Sequence, residues 1–426
     1  MFDVHKIRKF FPILNQKVHG HNLVYFDNGA STQKHQSVID ALNNYYATEN
    51  ANVHRGVHYL SGLATDKFEE TRATIQKFIG AKHKHEIIFT KGTTDAINLV
   101  ANGYRSILKP GDEIVISEME HHSNIVPWQL CCEASGANLK VVPIDENGEL
   151  SLDELKKLVT KKTKLVAISH ISNTLGTINP INEIINLTHE VGAKILIDGA
   201  QAAAHFKLHV NKMNVDFYCF SAHKLYGPTG VGVLYGKEEL LNMLPPYQGG
   251  GEMIQDVSFN KTTYACLPHK FEAGTPNIAG VIGFKPAIDF ITSLGLENIK
   301  IHEEELLNYA TDKILKIDGL KIYGNAKNKS AIISLFSNIP FLAVSPSAIS
   351  TKALSKSLSL LASVSMLNLL GVPKSTVLLN ISGKPGFQYG ADIPLNPGTY
   401  MPSVFIPFAL TSQCIFSCGM FNTFSK

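Results

Sequence analysis

Short apolar runs alternate with stretches of helical spacing between about residues 23 and 236. The runs are rich in Val, Ile, Leu and aromatic residues: LVYFD, HEIIFT, DEIVIS, LKVVPI, KLVAISH, AKILID, DFYCFS and VGVLY. Nearly continuous hydrophobicity is typical of strands buried on both faces. Between some of them, TTDAINLVANGYRSIL and INEIINLTHEVGA space apolar residues three and four apart, as amphipathic helices do. The pattern predicts an α/β fold with a mostly parallel sheet covered by helices on both faces.

The pattern changes in the last quarter of the chain. A helical linker is predicted over roughly residues 278–315, and after about Ile333 the sequence becomes Ser- and Leu-rich. Between Ala331 and Lys426 the only acidic residue is Asp392, and there is no Arg or His. This abrupt loss of charge indicates a shifted reading frame or a replaced tail. A membrane helix is an alternative, but four prolines interrupt the last stretch, so we expect no membrane span.

These changes of character divide the chain into four expected segments. They are an N-terminal segment (1–22), a large domain that contains the predicted sheet (23–277), a linker helix with the start of a small domain (278–332), and a divergent tail (333–426).

Composition narrows the class of protein. With 426 residues and 44% hydrophobic content, the chain can bury a large core. Its net charge of +3, without a polybasic arm, argues against a nucleic-acid partner. Six cysteines without a CxxC pair predict neither a disulfide scaffold nor a zinc site, and we expect no metal. The start, MFDVHKIRKFFPIL, does not resemble a signal peptide, so a cytoplasmic location is expected.

The stretch FTKGTTDAIN predicts a helix start able to bind phosphate. A strand-like run ends at Thr90, and Gly92, Thr93 and Thr94 then open a helix. Free N–H groups, a glycine that permits close approach and two hydroxyls suit a phosphate. The alternative is an ordinary threonine cap. No P-loop lysine follows, which disfavours a nucleoside triphosphate.

Polar residues also follow three other predicted strands. Asp198 ends AKILID, His121 and His122 follow DEIVIS, and Asn173 follows KLVAISH. Open α/β sheets bind ligands at this carboxyl edge. A carboxylate there is costly unless it is paired with a cation or a metal, and a protonated ring nitrogen would be a suitable cation. An imidazole could stack on a flat ring or shuttle protons. The alternatives are a helix-capping Asp and turn residues.

A lysine in CFSAHKLYGPTGVGVLYGK completes the set. Lys224 follows Ser221 and His223 in a weakly charged, glycine-rich stretch predicted as strand, tight turn and strand. Lysine is seldom buried without a partner. A phosphate site, a carboxylate, a ring-facing histidine and an imine-forming lysine at one sheet edge are what pyridoxal phosphate needs. The sequence therefore predicts a pyridoxal 5'-phosphate site.

Longer motifs resemble the class V aminotransferase family, in its cysteine desulfurase and selenocysteine lyase branch. The resemblance covers roughly residues 1–330 and rests on YFDNGAST, NANVHRGVHYLS, GTTDAINLVA, EMEHHSNIVPWQ, SNTLGTINP, DGAQAAAH, FSAHKLYGPTGVGVLYGK, GGGEMI and FEAGTPN. It implies the aspartate-aminotransferase type of α/β fold (pyridoxal phosphate fold type I), a large sheet domain with a smaller C-terminal one.

The resemblance also implies roles for individual residues. Lys224 would transfer protons, and His121 would stack on the cofactor ring. The remaining cofactor contacts are Asp198 at the pyridinium nitrogen, Gln201 and Asn173 around the ring oxygen, and Thr93, Ser221, His223 and, from the other subunit of a homodimer, Thr275 at the phosphate. His54 and Arg55 would lie near the mouth of the site.

The reaction implied is conversion of L-cysteine to L-alanine, with sulfur leaving as a persulfide for an acceptor protein in iron–sulfur cluster assembly. Members of the family use a late cysteine in an Arg-Thr-Gly-His-His-Cys type stretch, which this tail lacks. Cys414 and Cys418 have no such surroundings. Two alternatives follow: a selenocysteine lyase or another class V lyase or transaminase, and a catalytically impaired pyridoxal phosphate-binding protein.

Overall fold

A computed structural model describes residues 2–337, 406–410 and 414–416 of the chain. A seven-stranded mixed sheet lies at its centre, in the order β3-β9-β8-β7-β6-β4-β5. The strands are β1 Lys17–Val18, β2 His21–Asn22, β3 Ile87–Thr90, β4 Glu113–Ser117, β5 Asn138–Val142, β6 Thr163–Ser169, β7 Lys194–Asp198, β8 Phe217–Ser221, β9 Gly232–Gly236, β10 Ile254–Val257, β11 Thr262–Tyr264, β12 Leu320–Tyr323, β13 Ile332–Ser337, β14 Ile406–Leu410 and β15 Cys414–Phe416.

Helices cover this sheet, and more helices follow its last strand along the chain. The α-helices are α1 Val4–Arg8, α2 Gln36–Asn44, α3 Tyr59–Ile79, α4 Thr93–Arg105, α5 Val126–Ser135, α6 Leu152–Leu158, α7 Ile181–Glu190, α8 Val210–Met213, α9 Glu238–Met243, α10 Ile278–Leu294 and α11 Leu296–Ile314. Two single turns of 3₁₀-helix follow strands of the central sheet. Ala222–Lys224 comes directly after β8, and His122–Asn124 comes after the loop that follows β4.

The apolar runs form the strands because both of their faces are buried. Strands β4, β8 and β9 are buried at every position. One core, on the side of α4 and α5, includes Leu99 and the fully buried Trp128. The other, on the side of α3, α7 and α10, includes Ile75 and Phe284. The predicted α/β fold class is confirmed.

Four of the six strand pairings in this sheet are parallel, and β9 pairs antiparallel with both β8 and β3. The β8–β9 hairpin holds the turn that contains Lys224. Gly232, at the start of β9, is needed for close approach, because a Cβ there would lie 2.4 Å from the Cα of Gly92. This contact brings the start of α4 against the hairpin.

One local prediction is wrong, and a second is confirmed with a break in it. LVYFD forms no strand, and the chain just after it is bonded to the Lys224 turn, where the Thr32 N–H donates to the His223 carbonyl at 3.0 Å. The predicted linker helix is two helices, α10 and α11, which meet at 74°. The break is at Gly295, whose φ of 79° lies in the left-handed region that ends the first helix.

A second sheet contains β12, β13, β14 and β15 in order, all antiparallel. Ile333 and Leu335 of β13 pack against Ala310 and Ile314 of α11. The division at residues 277 and 332 stays a prediction. In the described ranges no single helix is long and apolar enough to span a membrane, although α10 and α11 together reach that length and composition.

Candidate active site

Several strands of the central sheet end in polar residues at its carboxyl edge. Strands β4, β6, β7 and β8 end at Ser117, Ser169, Asp198 and Ser221. A cavity of about 380 Å³ opens there. Eight of the nine residues predicted for the site line it, namely Thr93, His121, Asn173, Asp198, Gln201, Ser221, His223 and Lys224. The ninth, Thr275, is exposed and lies outside this lining.

The start of α4 and the end of β8 form an anion-binding corner. The Ser221 hydroxyl accepts a 2.8 Å hydrogen bond from the Thr93 N–H and lies 2.7 Å from the Thr93 hydroxyl. Both residues are buried. A 13-residue helix carries a partial positive charge at its N-terminus, and the last residue before it is a glycine. The corner therefore offers N–H and O–H donors to a phosphate.

Asp198 supplies a buried carboxylate at the end of β7. Its Oδ1 accepts a 2.9 Å hydrogen bond from the Ala200 N–H, so it does cap the following turn. Gly199 is required between them, because a Cβ there would lie 2.1 Å from the Tyr218 ring. Burial raises the pKa of Asp198, against the opposing effect of Lys224. A cationic group in the cavity would reverse that shift.

Lys224 lies in the wall of the same cavity, in the turn between β8 and β9. Burial lowers the pKa of its ammonium, while Asp198 and Asp27 raise it. A lysine with a lowered pKa has more of the neutral amine that attacks an aldehyde or accepts a proton.

In His121 the ring nitrogen Nδ1 is hydrogen-bonded within the protein, and Nε2 is available to a ligand in the cavity. Its Nδ1 accepts a 3.1 Å hydrogen bond from the Ser123 N–H and lies 2.7 Å from the Ser123 hydroxyl. The proton of the neutral ring is therefore assigned to Nε2. Burial and the cation of Lys224 lower the pKa of His121 to about 4, although the side chain is exposed to the open cavity. The imidazole is neutral at pH 7.

The remaining predicted residues surround this centre. Gln201 donates a 2.9 Å hydrogen bond from Nε2 to the Gly29 carbonyl, so its amide oxygen is the group left to accept. Burial, Lys224 and Lys34 lower the pKa of His223 to about 4. His54 and Arg55 pair instead with Glu69 and Glu252, at 3.2 and 2.7 Å, and are not in the lining.

Sequence reasoning missed two carboxyl groups. Asp27 lines the cavity, and its signal was the motif YFDNGAST, which supported the family resemblance without a role being given to its Asp. Glu120 is buried between Ser117, Asn124 and Ser169, which donate to its carboxyl oxygens at 2.5, 2.6 and 2.9 Å. Burial raises the pKa of Glu120 to about 7. Its signal was its place next to His121 after a strand.

Thiols and guanidinium groups are not found among the described residues of this lining. Of the cysteines whose side chains are described, Cys131, Cys132 and Cys219 are buried, Cys266 is exposed, and none lines the cavity. The arginines, which all precede residue 106, also lie elsewhere. Within the described part of the chain, no group of three His, Cys, Asp or Glu could hold a metal ion. Cys418 lies outside the described residues, and Cys414 is described only as the first residue of β15.

The donor set fits a phosphorylated pyridine aldehyde. The corner at Thr93 and Ser221 matches a phosphate, and the buried carboxylate of Asp198 matches a protonated ring nitrogen. Lys224 supplies an amine for the aldehyde, and His121 supplies a neutral flat ring. The nine predicted roles stay predictions.

Comparison with known proteins relates the chain that forms this site to a known family. The family model "Aminotransferase class-V" matches residues 24–351. A protein of Mycolicibacterium paratuberculosis named "Probable cysteine desulfurase" is 50% identical over 335 residues, covering 78% of this chain and 49% of that protein. One of the same name from Halalkalibacterium halodurans is 50% identical over 331 residues, covering 78% and 82%. The chain thus spans about half the length of the first relative.

Solved structures agree with the fold. The cysteine desulfurase of Thermococcus onnurineus matches with a TM-score of 0.75 and 37% identity, over 86% of this chain and 90% of that one. Agreement of this extent confirms the pyridoxal phosphate fold type I that the motifs implied.

Proposed function

Because this chain belongs to the aminotransferase class-V family, we propose that it converts L-cysteine to L-alanine and transfers the sulfur as a persulfide. Its cofactor is pyridoxal 5'-phosphate. The observation that carries the proposal is the meeting of Lys224, Asp198 and the Thr93–Ser221 corner at one cavity. Relatives named cysteine desulfurase at about 50% identity support the reaction type.

Thr93 and Ser221 would hold the phosphate, Asp198 the ring nitrogen and His121 the ring face. When bound, the cofactor withdraws electrons from the substrate Cα. The Lys224 amine would take the Cα proton at Nζ and return one to the product, and burial supports this role because it lowers the pKa of the ammonium. His121 is neutral, with its assigned Nε2–H as a donor in the cavity.

Cofactor attachment tests the first half of the proposal. Purified protein should be yellow, and borohydride should fix the cofactor covalently on Lys224, as peptide mapping would show. Lys34, a half-buried lysine that donates to the His223 carbonyl in this turn, provides the matched control as Lys34→Met, which should still be labelled on Lys224. A label on another lysine, or on none, would overturn the assignment.

The sulfur step needs a thiolate that the described part of the cavity lining does not contain. Cysteine reactivity depends on an electropositive, partly exposed setting. By contrast, burial raises the pKa of Cys131 to about 12 and that of Cys219 well above its usual value. This observation favours, as a second candidate, a chain that exchanges the Cα proton of cysteine or alanine far better than it releases sulfur.

A side-by-side assay separates the candidates. Deuterium exchange at Cα is compared with persulfide and alanine formation, with Cys414→Ser and Cys418→Ser as variants. Exchange without sulfur release supports the impaired protein. Alanine formation that disappears with one substitution supports the desulfurase and identifies its nucleophile. Selenide release from selenocysteine that persists in both Cys→Ser variants supports the selenocysteine lyase.

A homodimer is part of the proposal. Thr275 is exposed and outside the lining of its own chain's cavity, which suits a residue that contributes to a partner's phosphate site. Val57, Tyr59 and Phe259 are exposed apolar residues available to an interface. Sedimentation should give a dimer, and Thr275→Val should weaken cofactor binding in it. A monomer that binds cofactor with full affinity would contradict this.

The proposal extends to a cytoplasmic location and to iron–sulfur cluster assembly, with a sulfur-acceptor protein. Its support is the resemblance to that branch and the free thiols of the described cysteines, which suit a reducing compartment. Transfer of ³⁵S from cysteine to a small protein in a cytoplasmic extract would test the acceptor. Radiolabel found only in free sulfide would argue against it.

A further inference from the structure

A carboxyl group that no predicted role uses lies in the cavity wall with Lys224. Asp27 is half-buried in an extended segment before α2. Its backbone is fixed, because the Asp27 carbonyl accepts hydrogen bonds from the N–H groups of Ala30 and Ser31 at 3.2 and 3.1 Å. In its side chain, Oδ1 is buried without a hydrogen-bond partner among the described residues. A buried carboxylate oxygen with no donor is costly to the fold.

The segment that carries Asp27 is clamped to the turn that carries Lys224. The His223 carbonyl accepts hydrogen bonds from the Thr32 N–H at 3.0 Å and the Thr32 hydroxyl at 2.8 Å. The Lys34 ammonium donates to the same carbonyl at 3.3 Å, and Thr32 accepts from the Tyr226 N–H at 2.8 Å. These contacts on both sides of Lys224 hold the segment against its turn.

Lys224 is the cation that acts on Asp27. Burial raises the pKa of Asp27 to about 6, and the one charge that opposes this is that of Lys224. Lys34 is engaged by backbone carbonyls of Thr32 and His223. In return, Asp27 and Asp198 are the two anions that raise the pKa of Lys224.

The two carboxylates are not equivalent once the cofactor is bound. Asp198 would then face the ring nitrogen, as the proposed function requires. We propose that Asp27 is the counter-ion of the Lys224 ammonium, a positioning residue that stabilises the proton on Nζ each time the free amine takes it from the substrate Cα. No bond of Asp27 is made or broken: the proton moves from Cα to Nζ, and the carboxylate stays ionised.

The inference rests on the proposed function for its chemistry, but its test does not need the cofactor. In the full chain stripped of cofactor, the reactivity of the Lys224 amine toward trace acetic anhydride is measured against pH, and the Lys224 peptide is quantified by mass spectrometry. The other groups facing Lys224 are Asp198, His121 and His223, which stay unchanged.

Asp27→Asn should lower the midpoint of that titration by about one pH unit, since an opposite charge nearby shifts a pKa by about 1–3 units. Asp40→Asn, on the exposed side of α2, should leave it unchanged. Asp27→Glu, which keeps the charge, should lie nearer the unsubstituted chain. Circular dichroism checks folding, and Asp27→Ser gives the same test if Asp27→Asn does not fold.

A midpoint that is the same in Asp27→Asn, Asp27→Ser and the unsubstituted chain overturns the proposal. A shift confined to the Asp27 variants supports it, and in the loaded enzyme the pH profile of Cα exchange should move in the same direction. If the titration shifts but borohydride traps no cofactor on Lys224, the proposed function fails while the electrostatic coupling of Asp27 to Lys224 stands, so the two failures are distinguishable.

Discussion

Thr93 and Ser221 are hydrogen-bonded to each other although 128 positions separate them, through the Thr93 N–H at 2.8 Å and the two hydroxyls at 2.7 Å. The contact joins the start of α4 to the end of β8. Each hydroxyl is thereby oriented before any ligand arrives, which lowers the entropy lost when a phosphate binds.

Removing one hydroxyl should therefore weaken cofactor binding. A hydrogen bond to a charged group contributes about 1.5–3 kcal/mol, so Thr93→Val and Ser221→Ala should each raise the dissociation constant by roughly 10- to 150-fold. Fluorescence titration of the cofactor-free protein measures this. Ser106→Ala, at the exposed far end of α4, is the control and should bind normally. Normal affinity in both site variants would contradict a phosphate role.

Asp198→Asn and Asp198→Ala should reduce both cofactor affinity and Cα-proton exchange. Loss of one partner from a buried ion pair typically costs about 3–5 kcal/mol, and the partner proposed for Asp198 is the protonated ring nitrogen. Lys224 should remain able to bond to the cofactor, so borohydride labelling should persist at saturating cofactor. Exchange rates and affinities equal to those of the unsubstituted protein would limit Asp198 to its observed hydrogen bond with Ala200.

The free energy of unfolding should depend strongly on Arg72. This residue is fully buried and donates to both oxygens of Glu272 at 2.7 and 2.8 Å, and to the Ile87 carbonyl at 2.8 Å. Arg72→Met leaves the Glu272 carboxylate buried without its cation and should destabilise the protein by about 3–5 kcal/mol.

Urea unfolding of Arg72→Met measures that loss. The control is Lys316→Ala, which removes an exposed i,i+4 pair with Asp312 and should leave the urea midpoint nearly unchanged. Equal midpoints for the two variants would mean that the Arg72 pair adds nothing to stability.

Glu120 should make the fold less stable as pH rises. Burial raises its pKa from 4.5 to about 7, so the folded state binds more protons than the unfolded state between these values. Its contribution is fully present below about pH 4.5 and is lost as pH rises through 7, by about 3 kcal/mol at most. Glu120→Gln, which imitates the protonated form, should flatten this part of the stability profile.

Unfolding free energies measured from pH 5 to 8 test the Glu120 prediction. Glu146→Gln, at an exposed turn, is the matched control and should keep the original profile. If Glu120→Gln keeps it too, the carboxyl is not protonated in the folded protein at neutral pH.

The parts of the site that follow strands could be predicted, because the residues that end parallel strands all lie at the carboxyl edge of the sheet. Asp198 and Ser221 were found in this way, since their strands β7 and β8 are continuous apolar runs. The same reasoning failed for Asp27. The run LVYFD has strand composition, yet its position is decided by Thr32 and His223, 191 residues apart in sequence. Local pattern contains no trace of such a contact.

The linker could not be divided from its spacing either. Apolar spacing continues on both sides of Gly295, and only the backbone at that glycine, with φ of 79°, separates α10 from α11. The cysteine that would move sulfur was not found from sequence, because its expected surroundings of Arg and His are missing after residue 302.

Ile332 belongs at once to the cavity wall and to β13, where its backbone is in register with Ala409 of β14. It also lies against Gly176, where a Cβ would be 2.8 Å from the Ile332 carbonyl oxygen. A chimaera that exchanges the chain after residue 337 thus alters the support of one wall of the catalytic chamber. Grafting a foreign tail therefore also changes the active site. The new tail must pair with β13 as β14 does before the activity of any thiol that it brings can be measured.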